Sequence, residues 1–270
     1  EITSTTSIQN LLVENLTLLE NMVPVNNHGG VVLRGGQNTN ITIRNVKITD
    51  VSGAGISIPS FSYITIENCI IQRAWTGITI NDGSFGSIRG NTITDTTGDA
   101  FGSGRHITDV SIENNCMKNI GDTAIDISSQ SWVSGNSPHE RITAKNNTIT
   151  NGSIRVTNSI NVQILGNSIQ HGEIDVDAGQ GRPIDVHVVG NTIVSSGSEG
   201  IRFAGAMSSS AVNNTVTMET PLKGVTQCGI VAAIWGTAQI ENNTILNPAD
   251  YGIDFGGWGL GGSTNMAIKS

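Results

Sequence analysis

The chain has 270 residues, a formal net charge of −8, only 13% charged residues, and 33 glycines against 6 prolines. A nucleic-acid-binding surface needs clustered cations, and this acidic chain has 14 lysines and arginines in all. No apolar run approaches the ~18 residues of a membrane span, so neither nucleic acid nor a membrane is an expected partner. The abundance of Gly, Asn, Ser, Thr, Ile and Val favours short strands separated by turns.

An asparagine-centred phrase recurs along the chain, first as VENLTL in 13–18 and then as IRNVKI in 43–48. Apolar and polar residues alternate on both sides of the asparagine, as in half-buried strands. Neighbouring copies are mostly 23 or 24 residues apart, which indicates a solenoid, and the longer intervals indicate loop insertions. The ten marker residues are Asn15, Asn45, Asn68, Asn91, Asn115, Asn147, Asn167, Asn191, Asn214 and Asn243.

A second strand follows the phrase in most coils, for example in 55–58 and 77–80. A coil of ~23 residues is too short for a strand, a crossover helix and their connections. Equivalent strands of successive coils are therefore predicted to pair in parallel, with the ten asparagines stacked at one tight bend. Each side-chain amide would bond to the next, and Asn tolerates the left-handed backbone region. The prediction is an all-β, single-stranded parallel β-helix of about ten coils with an Asn ladder, forming one domain over 1–270.

The stacked asparagine turns resemble the right-handed parallel β-helix superfamily of pectate lyases, polygalacturonases, alginate epimerases and phage tailspikes, from about Ile8 to about Ile268. The resemblance implies a right-handed helix and a polysaccharide partner, in a protein that is secreted or carried on a virion surface. One scaffold hosts many reactions, so the activity has to be argued from the site. Open helix ends expose unpaired strand edges, which indicates a fragment, or a missing capping segment or partner domain. A homotrimer is one way to cover them.

One outward position of the second strand can be followed from coil to coil. From Asp126 to Arg202 this column alternates between negative and positive side chains. Neighbours would lie ~5 Å apart, which is close enough for ion pairs. One interpretation is a solvated ladder of ion pairs that fixes the register. The other is a groove in which Arg155, Asp175 and Arg202 bind sugar carboxylates or hydroxyls. The column reads Val32, Ser57, Thr79, Gly102, Asp126, Arg155, Asp175, Arg202, Val231 and Asp254.

Two Gly-Asp turns precede the second strand in neighbouring coils, at Asp99 and Asp122, with Asp126 just beyond. Carboxyl groups one coil apart can titrate apart, one protonated and one ionised, as glycoside hydrolysis requires. These three aspartates are the predicted catalytic core, and the alternative is that Gly-Asp is an ordinary turn former. The stretch 119–127 resembles a polygalacturonase segment with two adjacent aspartates, but Thr123 stands in place of the second.

Other side chains near these aspartates are predicted to bind substrate. Two of them follow the strand of the Asp99 coil, and three lie in an inserted loop over 128–140, where a tryptophan could stack on a sugar face. For His139, the alternative is an ordinary surface position. The sequence SPHE, which begins at Ser137, resembles the DPHE motif of alginate epimerases, with serine in place of the aspartate. The predicted residues are Arg105, His106, Trp132, His139 and Glu140.

No cofactor or metal is predicted, and calcium is the alternative. Glu173, Asp175 and Asp177 alternate along one strand and point the same way, and calcium prefers several oxygen ligands. A solvated acidic edge is the competing interpretation. Cys69 and Cys116 are expected at one position two coils apart, beyond the reach of a disulfide, as small buried hydrophobic residues.

The leading hypothesis is a polysaccharide-binding and polysaccharide-cleaving protein, a glycoside hydrolase-like depolymerase, with a polysaccharide lyase as the second choice. The alternative from another class is a non-catalytic virion spike, fibre or surface adhesin. The aromatic content of 4% favours that alternative, because sugar-binding grooves commonly use stacking rings.

Overall fold

The computed structural model describes residues 1–19, 29–129, 137–179, 181–219 and 226–255 and the strand 265–269. All regular structure in these ranges is β strand, and no helix occurs in them. Within that part of the chain there is accordingly no helix of the length and hydropathy that crossing a membrane requires.

The strands are short because a turn residue, most often Asn, Gly or Asp, interrupts each apolar and polar alternation. In chain order they are β1 (Ile2–Ser4), β2 (Gln9–Glu14), β3 (Thr17–Leu19), β4 (Val31–Leu33), β5 (Asn38–Arg44), β6 (Lys47–Ile58), β7 (Phe61–Glu67), β8 (Ile70–Ile80), β9 (Gly83–Arg89), β10 (Thr92–Thr96), β11 (Phe101–Ser103), β12 (Ile107–Glu113), β13 (Cys116–Ile120), β14 (Ile125–Ser128), β15 (His139–Lys145), β16 (Thr148–Thr150), β17 (Ile154–Thr157), β18 (Ser159–Leu165), β19 (Ser168–Gln170), β20 (Ile174–Asp177), β21 (Ile184–Val189), β22 (Thr192–Ser195), β23 (Glu199–Ala204), β24 (Ser208–Val212), β25 (Thr215–Met218), β26 (Cys228–Ala233), β27 (Thr237–Glu241), β28 (Thr244–Leu246), β29 (Tyr251–Asp254) and β30 (Asn265–Lys269).

The strands pair in parallel with their equivalents in the next coil, so the chain winds into a solenoid. One sheet has 11 strands in the order β2-β5-β7-β9-β12-β15-β18-β21-β24-β27-β30. The other sheet has 19 strands and takes two segments from most coils, which β6 and β8 join into single long strands. The predicted all-β parallel solenoid is confirmed.

The interior is filled by stacks of branched aliphatic side chains, one from each coil. Ile43, Ile66, Ile88 and Ile112 hold equivalent positions in β5, β7, β9 and β12, and all four are fully buried. Burying one such side chain contributes about 1.5–3 kcal/mol. A slip of one residue would turn a whole strand's apolar set outward, so these stacks fix the register between coils.

An inner ladder of seven asparagines runs along the bend between the two sheets. From Asn115 onward, each side-chain oxygen accepts hydrogen bonds from the backbone N–H and the side-chain amide of the asparagine one coil earlier. For Asn91 and Asn115 these bonds are 2.9 and 3.0 Å long. Each amide also donates to a strand carbonyl, such as that of Ile88 for Asn115. These bonds offset the cost of burying the amides. The members are Asn91, Asn115, Asn147, Asn167, Asn191, Asn214 and Asn243.

The predicted register of the asparagines is wrong in the first three coils. Asn15, Asn45 and Asn68 lie one position earlier, in a left-handed column with φ of 55°, 53° and 53°. At the ladder position, strand pairing places Leu16, Val46 and Cys69 in these coils. Asparagine suits both positions, which is why the two were confused. Later coils fill the left-handed column with Gly90, Asn114, Asn146, Gly166, Gly190, Asn213 and Asn242.

The expected equivalence of two cysteines is also wrong by one position. Cys69 is buried, and its backbone N–H donates to Asn91 Oδ1 at 2.9 Å, as a ladder residue does. Cys116 follows Asn115 and is exposed, so it is not a buried hydrophobic residue. Both are free thiols.

Candidate functional site

The outward column of the second strand has the predicted register. Gly102 of β11 pairs with Thr79 of β8 on one side and with Asp126 of β14 on the other. The column continues through Arg155 and Asp175, and it begins with Val32 and Ser57. Residues far apart in sequence thus become neighbours on the outer face of the 19-stranded sheet.

Two adjoining clefts on this face share Thr76 and form a groove along the helix axis. The column from Val32 to Arg155 spans six coils along it, which is ~24 Å at ~4.8 Å per coil. The first cleft has a volume of about 690 Å³ and is lined by Val32, Arg34, Gly53, Ala54, Ser57, Pro59, Trp75 and Thr76. The second has a volume of about 470 Å³ and is lined by Thr76, Thr79, Asn81, Asp99, Gly102, Ser103, Gly104, Arg105, Asp122, Asp126, Ser128 and Arg155.

Asp99 enters the second cleft from the turn before β11. Its Oδ1 accepts a hydrogen bond of 3.1 Å from the backbone N–H of Thr123 in the next coil, which fixes the direction of the carboxyl group. Its Oδ2 lies beside Gly102, where an added Cβ would come within 3.1 Å of it. A glycine in the outward column therefore makes room for this carboxyl group.

The environment of Asp99 favours its protonated form. Partial burial raises the pKa of Asp99 to about 7, and the negative charges of Asp126 and Asp122 add to this. The Thr123 hydrogen bond and the positive charge of Arg155 act in the opposite direction. A carboxyl group that is half protonated near neutral pH can donate a proton, which is what general acid catalysis requires.

The other two aspartates differ in how their carboxylates are engaged. Asp122 lies in an exposed turn, where its Oδ1 accepts a hydrogen bond of 3.4 Å from Thr123 Oγ1. Asp126 accepts from Arg155 Nε at 3.1 Å and from Nη2 at 2.9 Å, and Ser128 Oγ donates to its Oδ1. Both oxygens of Asp126 are therefore occupied by protein donors, whereas Asp122 can contact water or a ligand.

The charged column resolves into two bidentate ion pairs, in which each arginine contacts the aspartate of the preceding coil. Arg202 donates to Asp175 at 2.8 and 3.0 Å and to Asp177 at 2.7 Å. Asp175 and Asp177 are two of the three carboxylates that the calcium alternative requires. The Arg202 guanidinium already supplies the positive charge between them. Among the described residues, no group of three or more His, Cys, Asp or Glu could hold a metal ion. Asp175 and Arg202 do not line the groove.

Arg105 lines the second cleft, with its Nη1 3.3 Å from Asp82 Oδ2. Asn81, which the sequence analysis missed, holds this turn, because its Oδ1 accepts from the N–H groups of Gly104 and Arg105 at 2.7 and 3.1 Å. His106 turns toward the carbonyl of Pro138 and is not one of the described residues lining the groove.

The predictions for the inserted loop are wrong where the structure tests them. His139 is fully buried, its Nδ1 accepts from the N–H of Ile107 at 3.1 Å, and burial lowers its pKa to about 4. Glu140 lies in β15 of the other sheet and bonds to Arg141 at 2.8 Å. Neither side chain reaches the groove, because the strand already begins at His139. Trp132 lies outside the described residues.

Trp75 was not predicted from the sequence, and Glu173 was considered there only as a calcium ligand. Trp75 lines the first cleft with 59% of its surface exposed. Glu173 lies two coils beyond Asp122, and partial burial raises its pKa to about 7, with further contributions from the negative charges of Asp175 and Glu199. Trp75 therefore adds an exposed aromatic face to the groove, next to the acidic second cleft.

Solved structures with similar folds include carbohydrate-active enzymes and an adhesin. The catalytic unit of a thermostable GH87 α-1,3-glucanase from Streptomyces thermodiastaticus strain HF3-3 is 17% identical with a TM-score of 0.58, over 89% of this chain and 56% of that chain. A substituted GH87 α-1,3-glucanase catalytic domain in complex with nigerose is 15% identical with a TM-score of 0.63, over 88% and 50%. PfbA, a surface adhesin of Streptococcus pneumoniae, is 12% identical with a TM-score of 0.52, over 90% and 82%.

These likenesses concern the fold, and the chain spans about half the length of the glucanase chains. The comparison with curated proteins returned no match. The sequence model described as "Right handed beta helix region" matches residues 3–169, which is more than half of the chain. The chain therefore belongs to the right-handed β-helix family.

Proposed function

We propose that this chain binds a polysaccharide along the groove and hydrolyses its glycosidic bonds, with Asp99 as general acid and Asp122 as general base. The observation that carries the proposal is the partly buried Asp99 carboxyl, with a pKa of about 7, one coil away from the exposed Asp122. Two carboxyl groups with different protonation states are what glycoside hydrolysis requires.

In this mechanism Asp99 gives its proton to the glycosidic oxygen as the bond from that oxygen to the anomeric carbon breaks. A water molecule attacks the anomeric carbon and loses a proton to Asp122. Solvent then reprotonates Asp99 and deprotonates Asp122, which completes the cycle. Asp126 transfers no proton, because Arg155 and Ser128 occupy its oxygens. Its role is to keep Asp99 protonated through its negative charge.

The glucanase structures support this assignment by their spacing of aspartates. Three forms of that catalytic domain, each with one aspartate replaced by alanine, are in complex with nigerose or tetrasaccharides. The last of the three replaced aspartates follows the first by 24 residues and the second by 1. In this chain Thr123 follows Asp99 by 24 residues and Asp122 by 1. Threonine at the third position is a departure, and it leaves Asp122 as the base.

A non-catalytic surface adhesin is the second candidate. The pneumococcal surface adhesin has a similar fold over 90% of this chain, with a TM-score of 0.52, so this scaffold also suits a non-catalytic role. Secretion or a virion surface suits both candidates, and both keep polysaccharide as the partner. A homotrimer that covers the open ends stays a prediction for either.

The test is the release of reducing ends from a panel of neutral and anionic polysaccharides by wild type, Asp99→Asn and Asp122→Asn. We expect each variant to lose ~10²–10⁴-fold in rate. Asp185→Asn, at a half-exposed position of β21, is the matched control and should keep full activity. Binding to a glycan without product from any substrate would reject the hydrolase and favour the adhesin.

A further inference from the structure

Trp75 lies within β8, and its exposed ring lines the first cleft of the groove. Val51 pairs with Ala74 and Ala54 with Thr76, so two residues of β6 oppose the single Trp75 in a β-bulge. Bulges bend a strand and redirect side chains, often beside functional sites. Gly53, within the bulge, lines the first cleft together with Trp75. The local backbone therefore opens space on one side of the indole.

On its other side the indole extends toward the acidic cleft across a residue that has no side chain. Counting back from the paired strands β8, β11 and β14 places Trp75, Gly98 and Asp122 at one position of three successive coils. The backbone N–H of Gly98 donates to the carbonyl of Trp75 at 2.6 Å. The Nε1 atom of Trp75 lies 3.7 Å from the place that a Cβ of Gly98 would occupy. With only glycine between them, the indole borders the space in front of Asp122.

The cations along the groove are already engaged. Three of the described lining residues are arginines, and each has a carboxylate partner: Arg34 lies 3.9 Å from Glu1, Arg105 lies 3.3 Å from Asp82 and Arg155 lies 2.9 Å from Asp126. A sugar carboxylate in the second cleft would meet Asp122 and Asp126 without an unpaired cation. The charges therefore favour a neutral sugar.

We propose that Trp75 and Gly98 form a subsite for one neutral sugar ring, stacked on the indole next to Asp99 and Asp122. The inference rests on the proposed function in one respect: the cleaved bond would lie at the edge of the stacked sugar ring. The binding of the sugar ring does not depend on the proposed function, because stacking on Trp75 and the local charges do not require catalysis. The subsite extends the bound glycan from the acidic cleft into the first cleft.

The test measures binding to an array of linear neutral and uronic-acid-containing oligosaccharides in the Asp99→Asn background. We expect neutral glycans to bind and Trp75→Ala to weaken binding at least ~10-fold, as loss of a stacking ring does. Trp75→Phe, which keeps a ring face, should recover part of the affinity. Gly98→Leu should block binding because its side chain competes for the space of the indole. Trp235→Ala removes another partly exposed tryptophan, stacked on Arg182, and should leave affinity unchanged.

The outcomes separate the subsite from the hydrolase. Trp75-dependent binding of neutral glycans by a wild type that releases no product supports the subsite and rejects the hydrolase. Product release with an unchanged KM in Trp75→Ala rejects the subsite and keeps the hydrolase. Preferential binding of uronic-acid glycans, or no binding to any glycan, overturns the proposal.

Discussion

Replacing Asn115 by valine should test what the asparagine ladder contributes to stability. Asn115 is buried in the same coil as Asp122, and its side chain makes four hydrogen bonds. Its Oδ1 accepts from the backbone N–H and the amide of Asn91 at 2.9 and 3.0 Å. Its amide donates to Ile88 O and to Asn147 Oδ1, both at 3.0 Å. Valine has a similar volume and makes none of these bonds.

The expected cost follows from which partners are left unsatisfied. The Asn91 amide still donates to Ile66 O, and Asn147 Oδ1 still accepts from the Asn115 backbone N–H. The Asn91 N–H and the Ile88 carbonyl lose their side-chain partner, at ~1–3 kcal/mol each. The buried methyl groups of valine offset ~1 kcal/mol. We therefore expect the free energy of unfolding to fall by ~3 kcal/mol.

Urea unfolding followed by circular dichroism measures this loss, and Asn114→Gly is the matched control. Asn114 is the adjacent residue, exposed and left-handed with φ of 56°, and Gly90 and Gly166 hold its position in other coils. With a slope of ~3 kcal/mol/M, Asn115→Val should lower the midpoint by ~1 M. The control should change the free energy by less than ~0.5 kcal/mol. Equal shifts in the two variants would refute the role of the ladder.

Three further predictions concern single positions. Cys69→Asn should extend the ladder and add ~1 kcal/mol in the urea assay, because Cys69 Sγ already contacts Ile43 O at 3.7 Å; a loss would contradict this. Gly102→Ala should displace Asp99 Oδ2 and lower kcat ~10-fold on any cleaved glycan without changing Tm. Burial lowers the pKa of His139 from 6.5 to about 4, so stability present above pH 6.5 should fall by ~3 kcal/mol as pH drops to 4. His139→Gln should lack this dependence when compared with wild type at each pH.

The coil register could be predicted because alternating apolar residues leave little freedom in how strands pair. The outward column through Gly102, Asp126 and Arg155 followed from counting from the first apolar residue of each second strand. Strand pairing places Asp122 one position out of line with Asp99, because Thr123 holds the equivalent position and donates its N–H to Asp99 Oδ1. The stacked isoleucines of the interior fix the register between coils, which is why counting along the sequence predicts these neighbours.

The asparagine ladder was misplaced in the coils whose single asparagine takes the left-handed position instead of the inward one. The pairs Asn114–Asn115 and Asn146–Asn147 fill both the left-handed and the inward position. The single Asn68 fills only the left-handed one, since the inward position belongs to Cys69. The distance to the following strand would have distinguished the two, because the ladder residue always directly precedes the strand.

The loop residues could not be placed because the sequence of an inserted segment does not indicate at which residue the next strand begins. His139 was expected on the surface, yet β15 begins there and the ring satisfies backbone groups inside the helix. Trp75 was missed for the opposite reason. It lies within β8 and gave no loop signal, and its exposure depends on the β-bulge in the preceding coil and on Gly98 in the next.

Pairing with arginine distinguishes Asp126 and Asp175 from Asp99 on this face. Asp126 and Asp175 hold the same column position and each binds an arginine through both oxygens, so their charges stabilise the register. In the coil of Asp99 that column position is Gly102, and the vacated space receives a carboxyl group from the preceding turn with no arginine bonded to it. The Thr123 N–H and the positive charge of Arg155 lower the pKa of Asp99, but they do not overcome burial and the adjacent negative charges. The glycine that precedes the first ion pair of this column thus makes room for the proton donor of the proposed reaction.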